Sequence, residues 1–144
     1  MLLQAREALM QHRRPALRAR GLSDQQWRVL RVLRSHEQGL ETGRLAEHAF
    51  ILGPSLTGML ARMEKGGLIT RQRSAEDARR SLVRATAEGL AVADALSETI
   101  ESQYQDLAGH LGSARLAQLY SLLDELLALA PHPEQPLGTN PQES

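Results

Sequence analysis

The stretch Gly53-Pro54-Ser55-Leu56-Thr57-Gly58-Met59-Leu60-Ala61-Arg62-Met63-Glu64-Lys65, closed by Gly66-Gly67 and followed by Leu68-Ile69-Thr70-Arg71-Gln72-Arg73, decides the fold. Pro54 suits a helix's first position, where a proline loses no hydrogen bond. Leu56, Met59, Leu60 and Met63 fall within about 100° of one another on a helical wheel, which makes a buried stripe. The glycine pair stops the helix. Residues 68–73 then alternate like a strand. Ser74 to Arg80 is a polar loop, and Leu82-Val83-Arg84-Ala85 returns as a second strand. Together they form a β-hairpin with a projecting, charged tip.

Upstream, Thr42 is placed to cap a short helix through about Ala49, with Leu45 and Ala46 inward. Phe50-Ile51-Leu52-Gly53 reads as a tight apolar turn. Two helices joined by such a turn and followed by a hairpin make a helix-turn-helix with a β-wing, and the second helix is its reading element. Opposite the buried stripe this helix carries Pro54, Gly58, Ala61 and Lys65, flanked by Ser55, Thr57 and Arg62. Short side chains permit close approach to a major groove, hydroxyls suit phosphates, and cations suit phosphate or guanine. A mid-helix glycine costs about 1 kcal/mol against alanine, so Gly58 needs a reason. At the wing, Arg79 or Arg80 could enter a minor groove, with Asp77 bracing a guanidinium or the loop. A solvated amphipathic helix and a solvated charged loop are the plainer alternatives.

Further out, residues 2–19 read as a helix in which Leu2, Leu9 and Ala16, and Leu3, Met10 and Leu17, repeat at seven. Pro15 is expected to kink it and Gly21 to end it. Ser23 or Asp24 caps a second helix, with Gln26 near the capping-box position; its inward side is Trp27, Leu30 and Leu33, or Val29 and Val32. Thr86 caps a long helix keyed by Ala93, Leu96, Ile100, Tyr104, Leu107 and Leu111. A break at Gly112-Ser113 precedes a last helix with Leu116, Leu119, Leu123, Leu126 and Leu127. The expected class is mainly α with a small β-wing. Residues 21–89 form a winged helix-turn-helix DNA-binding lobe, residues 1–20 and 90–130 a helical dimerisation region, and residues 131–144 a proline-rich disordered tail.

Composition narrows the function. Leucine and alanine supply the apolar mass, and cysteine is absent, which excludes disulfides and thiolate sites. No apolar run reaches the roughly 20 residues that cross a bilayer, and the N-terminus lacks a signal-peptide core, so a cytoplasmic protein without membrane contact is expected. The net charge of zero hides a segregation. Residues 1–52 hold nine basic and five acidic side chains, residues 53–86 seven and three, and residues 87–144 one and nine. A basic middle beside an acidic end suits one face presented to an anionic polymer. No phosphate loop, nucleophile elbow or paired-carboxylate signature is present. The histidines at 12, 36, 48, 110 and 132 show no ligand spacing. Neither an enzyme nor a cofactor or metal is expected.

Over roughly residues 1–130 the chain resembles the MarR family of bacterial regulators. The resemblance rests on Asp77-Ala78-Arg79-Arg80 at the wing, on Thr86-Ala87-Glu88-Gly89, and on Leu60 to Ile69. Ala85 stands where the family has leucine. Leu22 to Leu30 and Ile51 to Leu60 are similar to the branch that regulates homoprotocatechuate degradation. The resemblance implies a repressor of an aromatic-catabolism operon that binds a near-palindromic duplex operator as a homodimer. It also implies release by a small phenolic or pyridine carboxylic acid, bound between the dimer helices and the DNA-binding lobe.

The expected DNA contacts are Pro54, Ser55, Thr57, Gly58, Arg62, Lys65, Arg73, Asp77, Arg79 and Arg80, with Arg71 and Arg84 as further phosphate partners. An aromatic acid needs a cation and an apolar wall. Helix one offers His12, Arg13, Arg14 and Arg18, and helix two offers Trp27 and Arg31. The effector set expected is Arg14, His12, Trp27 and Arg31, with Arg14 and Trp27 at its centre. The same arginines would serve as plain surface and Trp27 as plain core. The alternative functions are a winged-helix protein-interaction module and a transcriptional activator without an effector.

Overall fold

The computed structural model describes residues 1–76 and 80–129. The element order is α1 (Leu2–Ala19), α2 (Asp24–Arg34), β1 (Leu40–Glu41), α3 (Thr42–Ala49), α4 (Gly53–Lys65), β2 (Ile69–Arg73), β3 (Ser81–Ala85), α5 (Ala87–Leu111) and α6 (Ser113–Ala128). The chain divides into two compact units, Met1–Gln103 and Tyr104 onward.

In the first unit, α1 runs unbroken through Pro15. Met10 and Leu17 from one of its heptad rows are buried, whereas Leu2, Leu3 and Leu9 are exposed. A reciprocal capping box starts α2. Ser23 Oγ accepts from the Gln26 amide at 3.2 Å, and Gln26 Oε1 accepts from the Ser23 amide at 3.0 Å. Such caps are worth about 1 kcal/mol. Helix α2 is buried over a broad face, Trp27, Val29, Leu30 and Leu33 together, so the two stripes offered by the sequence are both used in part. These side chains meet Leu45, Leu56, Leu60, Met63, Ile69, Val83, Leu96 and Ile100 in one core.

The sheet holds three strands in the order β1-β3-β2, all antiparallel. The wing register pairs Ile69 with Ala85 and Arg73 with Ser81, and the Ser74 amide donates to the Arg80 carbonyl at 2.9 Å to close the loop. Strand β1 was not expected. Two residues are too short to alternate, and they become a strand only because β3 offers a free edge. Its presence also corrects the start of α3. The N-cap is Glu41, without a side-chain cap bond, and the Thr42 hydroxyl donates to the Ser81 carbonyl at 3.2 Å. Sheet pairing draws the threonine into the helix and across to β3.

The joint between α4 and α5 is tight. Thr86 Oγ1 accepts from the Gly89 amide at 3.0 Å and donates to the Gly67 carbonyl at 2.6 Å. A Cβ at Gly89 would lie 2.1 Å from the Leu68 carbonyl oxygen, so only glycine fits there. In the second unit, α6 follows Gly112 and buries none of its residues. Leu119, Tyr120, Leu122, Leu126 and Leu127 are all exposed. No helix among the described residues is long and apolar enough to cross a membrane. The tail, residues 131–144, lies outside the described residues.

Candidate nucleic-acid interface

Helix α4 has the two faces the sequence implies. Leu56, Met59, Leu60 and Met63 are buried. Pro54, Ser55, Thr57, Gly58, Ala61, Arg62 and Lys65 are all exposed. The N-cap, Leu52, makes no side-chain cap bond and the first turn holds no acidic residue. The leading amides and the positive end of the helix dipole are therefore available to an anion. The Thr57 hydroxyl donates back to the Gly53 carbonyl at 3.3 Å. Among the described residues, and apart from its own chain neighbours and nearby helix backbone, nothing lies within 4 Å of a Cβ built on Gly58. The molecule's own packing does not require glycine at this position.

Helix α4 contains one carboxylate, Glu64, and it is engaged. Arg71 donates to it from Nη2 at 2.7 Å, from Nε at 3.0 Å and from its main-chain amide at 3.3 Å. Hydrogen bonding from Arg71 holds the Glu64 carboxyl below its usual range, against a smaller opposing desolvation. Arg71 thus serves the fold, a role the sequence reading did not give it. Arg84, which is exposed, donates from Nε to the Gln38 carbonyl at 2.9 Å. Arg73 and Arg80 are exposed and line an open concavity of about 530 Å³ at the wing base, together with Glu41, Gln72 and Leu82. Asp77 and Arg79 lie outside the described residues.

The turn before α4 is built by a residue that the sequence reading passed over. Arg28 Nη1 donates to the carbonyls of Ala49 at 3.0 Å and Phe50 at 3.1 Å, and its Nε faces Asp24 at 3.3 Å. This fixes Phe50 in the left-handed region at φ 54°, a conformation that costs a side-chain-bearing residue roughly 1–2 kcal/mol. Ile51 turns inward, and Phe50 and Leu52 project outward, 82% and 80% exposed.

The expected effector residues are dispersed. Trp27 is 2% exposed and belongs to the core. Arg14 is exposed and paired with Glu7 on its own helix. His12 and Arg31 are exposed. The half-buried cation of α1 is Arg13, whose pKa burial pushes down; Asp24 opposes that shift and Arg31 adds to it. Asp24 also meets Arg6 at 3.4 Å, so three arginines, Arg6, Arg13 and Arg28, share one carboxylate. Gln103 was missed. Its Nε2 donates to the His12 carbonyl at 2.8 Å, while its buried Oε1 has no partner among the described residues. The available signal was its place three residues after Ile100 on the inward row of α5. Among the described residues no group of three or more histidines or carboxylates could hold a metal ion.

A helix-turn-helix whose second helix exposes one face and has its single carboxylate engaged, followed by a two-stranded wing, defines a winged helix-turn-helix protein. The MarR family profile matches residues 20–80. The chain is 41% identical to the HTH-type transcriptional regulator FarR of Neisseria gonorrhoeae over 125 residues, covering 87% of this chain and 85% of that one. It is 39% identical to the homoprotocatechuate degradative operon repressor of Escherichia coli over 128 residues, covering 89% and 86%. The crystal structure of NadR in complex with 4-hydroxyphenylacetate superposes with a TM-score of 0.74 at 40% identity, covering 90% and 91%. The chain belongs to the MarR family of transcriptional regulators.

Proposed function

We propose that this regulator is a cytoplasmic repressor of an aromatic-compound degradation operon, bound to a near-palindromic operator as a homodimer and released by a small aromatic carboxylic acid. The observation that carries the DNA part is the outer face of α4, where small, hydroxylated and cationic side chains stand without a free carboxylate. Ser55, Thr57, Gly58, Arg62 and Lys65 enter the major groove, Pro54 leads them, and Arg73, Asp77, Arg79 and Arg80 serve the wing.

Residues 1–20 and 90–130 form the dimerisation region and residues 21–89 the DNA-binding lobe. The support is the apolar surface that α6 leaves uncovered, together with the exposed leucines at the start of α1. Isolated exposed leucines are ordinary, but a helix with none of its leucines buried is not.

The effector reading rests on the arginines around Asp24. Arg6 and Arg28 meet Asp24, Arg13 feels the charges of both Asp24 and Arg31, and the buried Gln103 Oε1, without a hydrogen-bond partner among the described residues, is an acceptor for a hydroxyl donor. A phenolic acid supplies a carboxylate and a hydroxyl, and two relatives carry names that speak of such chemistry. His12, Arg14, Trp27 and Arg31 remain the residues proposed to line or support the pocket.

The test is fluorescence anisotropy on duplex DNA from upstream of the protein's own gene, with random DNA as competitor and a panel of hydroxylated aromatic and pyridine carboxylic acids. Competitor-resistant binding that one acid weakens supports both parts. Binding indifferent to every acid removes the effector. Binding no better than to random DNA at every salt concentration overturns the operator reading.

A further inference from the structure

The turn before α4 holds a large aromatic in a conformation that glycine would adopt without strain. Phe50 has φ 54°, Arg28 anchors its carbonyl, and its ring meets solvent. Two residues on, Leu52 is also exposed. Strained backbone that places apolar side chains outward is kept where it serves a contact. What that contact is follows from continuity: Leu52 is the N-cap of α4, immediately ahead of Pro54, Ser55 and Thr57. The leading end of such a helix reaches deepest among the base edges. The apolar feature that a major groove offers is the thymine 5-methyl group. Phosphates and sugars would instead call for polar or cationic groups here.

We propose that Phe50 and Leu52 form an apolar leading edge that reads thymine methyl groups in the operator, and so set part of its sequence preference. The inference rests on the operator-binding reading, and its test separates the two. Duplexes enriched from a random pool by the wild-type protein are copied with deoxyuridine in place of thymidine. Every 5-methyl group is lost and every base-pairing group is kept. Wild type should lose affinity about fourfold for each methyl group it covers, the factor that burying one methyl corresponds to. Over two half-sites the loss should exceed tenfold. Leu52→Ala and Phe50→Gly should bind the thymine duplex more weakly and discriminate less between the two duplexes. Both side chains are exposed, so the variants should fold; Leu52→Ala should keep the wild-type melting temperature and Phe50→Gly should raise it by a few degrees.

Equal wild-type affinity for thymine and uracil duplexes overturns the inference while leaving DNA binding intact. So does undiminished discrimination by both variants. Loss of repression by Leu52→Ala with unchanged DNA affinity assigns the edge to a protein partner and also overturns it. A pool that yields no enriched duplex removes the operator reading and the inference together.

Discussion

Arg71 on β2 reaches back across the Gly66-Gly67 turn to hold Glu64 on α4 through three hydrogen bonds, one from its own main chain. The pair ties the reading helix to the first strand of the wing and so helps to hold the angle between them. It also removes the helix's carboxylate from the face that would meet phosphates. Glu64→Gln and Arg71→Ala should each weaken operator binding about tenfold, and amide exchange along β2 should speed up. A variant with normal affinity and normal exchange would show that the angle is set elsewhere.

The same pair predicts a pH response. The folded-state pKa of Glu64 is lowered, chiefly by its bond to Arg71. The stabilisation it provides is therefore present above the unfolded value of about 4.3 and is lost as pH falls through the lower folded value. Between pH 8 and 5 the protection this pair gives the wing should stay constant. Loosening should begin below about pH 4, and Glu64→Gln should abolish that step.

Gly58→Ala separates stability from recognition. Open space surrounds the position, so alanine should stabilise α4 by up to about 1 kcal/mol. The added methyl group should nevertheless weaken operator binding, because the groove wall is what approaches there. Thermal melting and anisotropy on one sample set check both signs. Unimpaired binding would place the groove away from Gly58.

Cations of the reading helix and an arginine bonded to the chain should differ in their salt response. Removing a phosphate contact lowers the log–log salt slope by about 0.9. Arg62→Ala and Lys65→Ala should each do so. Arg84→Ala, whose Nε serves the Gln38 carbonyl, should reduce melting temperature and leave the slope near wild type.

Gln103→Leu tests the effector site. It removes the bond to the His12 carbonyl but also removes a buried oxygen without a partner, so the net change in stability should be small. The concentration of the acid that releases the wild type should rise about tenfold. An unchanged release curve would remove Gln103 from the site.

The reading helix was legible because several local signals agreed over Gly53–Lys65: the apolar spacing, the leading proline and the closing glycine pair. The strands of the wing were legible within one residue for the same reason. What escaped depends on partners distant in sequence. Strand β1 exists only opposite β3, and that pairing turned Thr42 from a cap into a cross-link. Arg71 was expected to meet phosphate and Glu64 drew no reading, since nothing in the chain states that a turn brings them face to face. Arg28 drew none either, because its carbonyl partners exist only once the turn at Phe50 is in place. In the effector region the neighbouring arginines of α1 are equivalent in sequence. Only the packing distinguishes half-buried Arg13 from Arg14, which pairs with Glu7.

The hydroxyl of Thr86 holds the last carbonyl of one helix's exit and the first turn of the next, and Gly89 lies flush against Leu68 with no room for a methyl group. A joint bonded on one side and crowded on the other has no play. The two residues that lead out of α4 are therefore clamped to the opening turn of α5, and the end of the one helix cannot slide past the start of the other without breaking the hydroxyl's bonds or forcing a backbone clash.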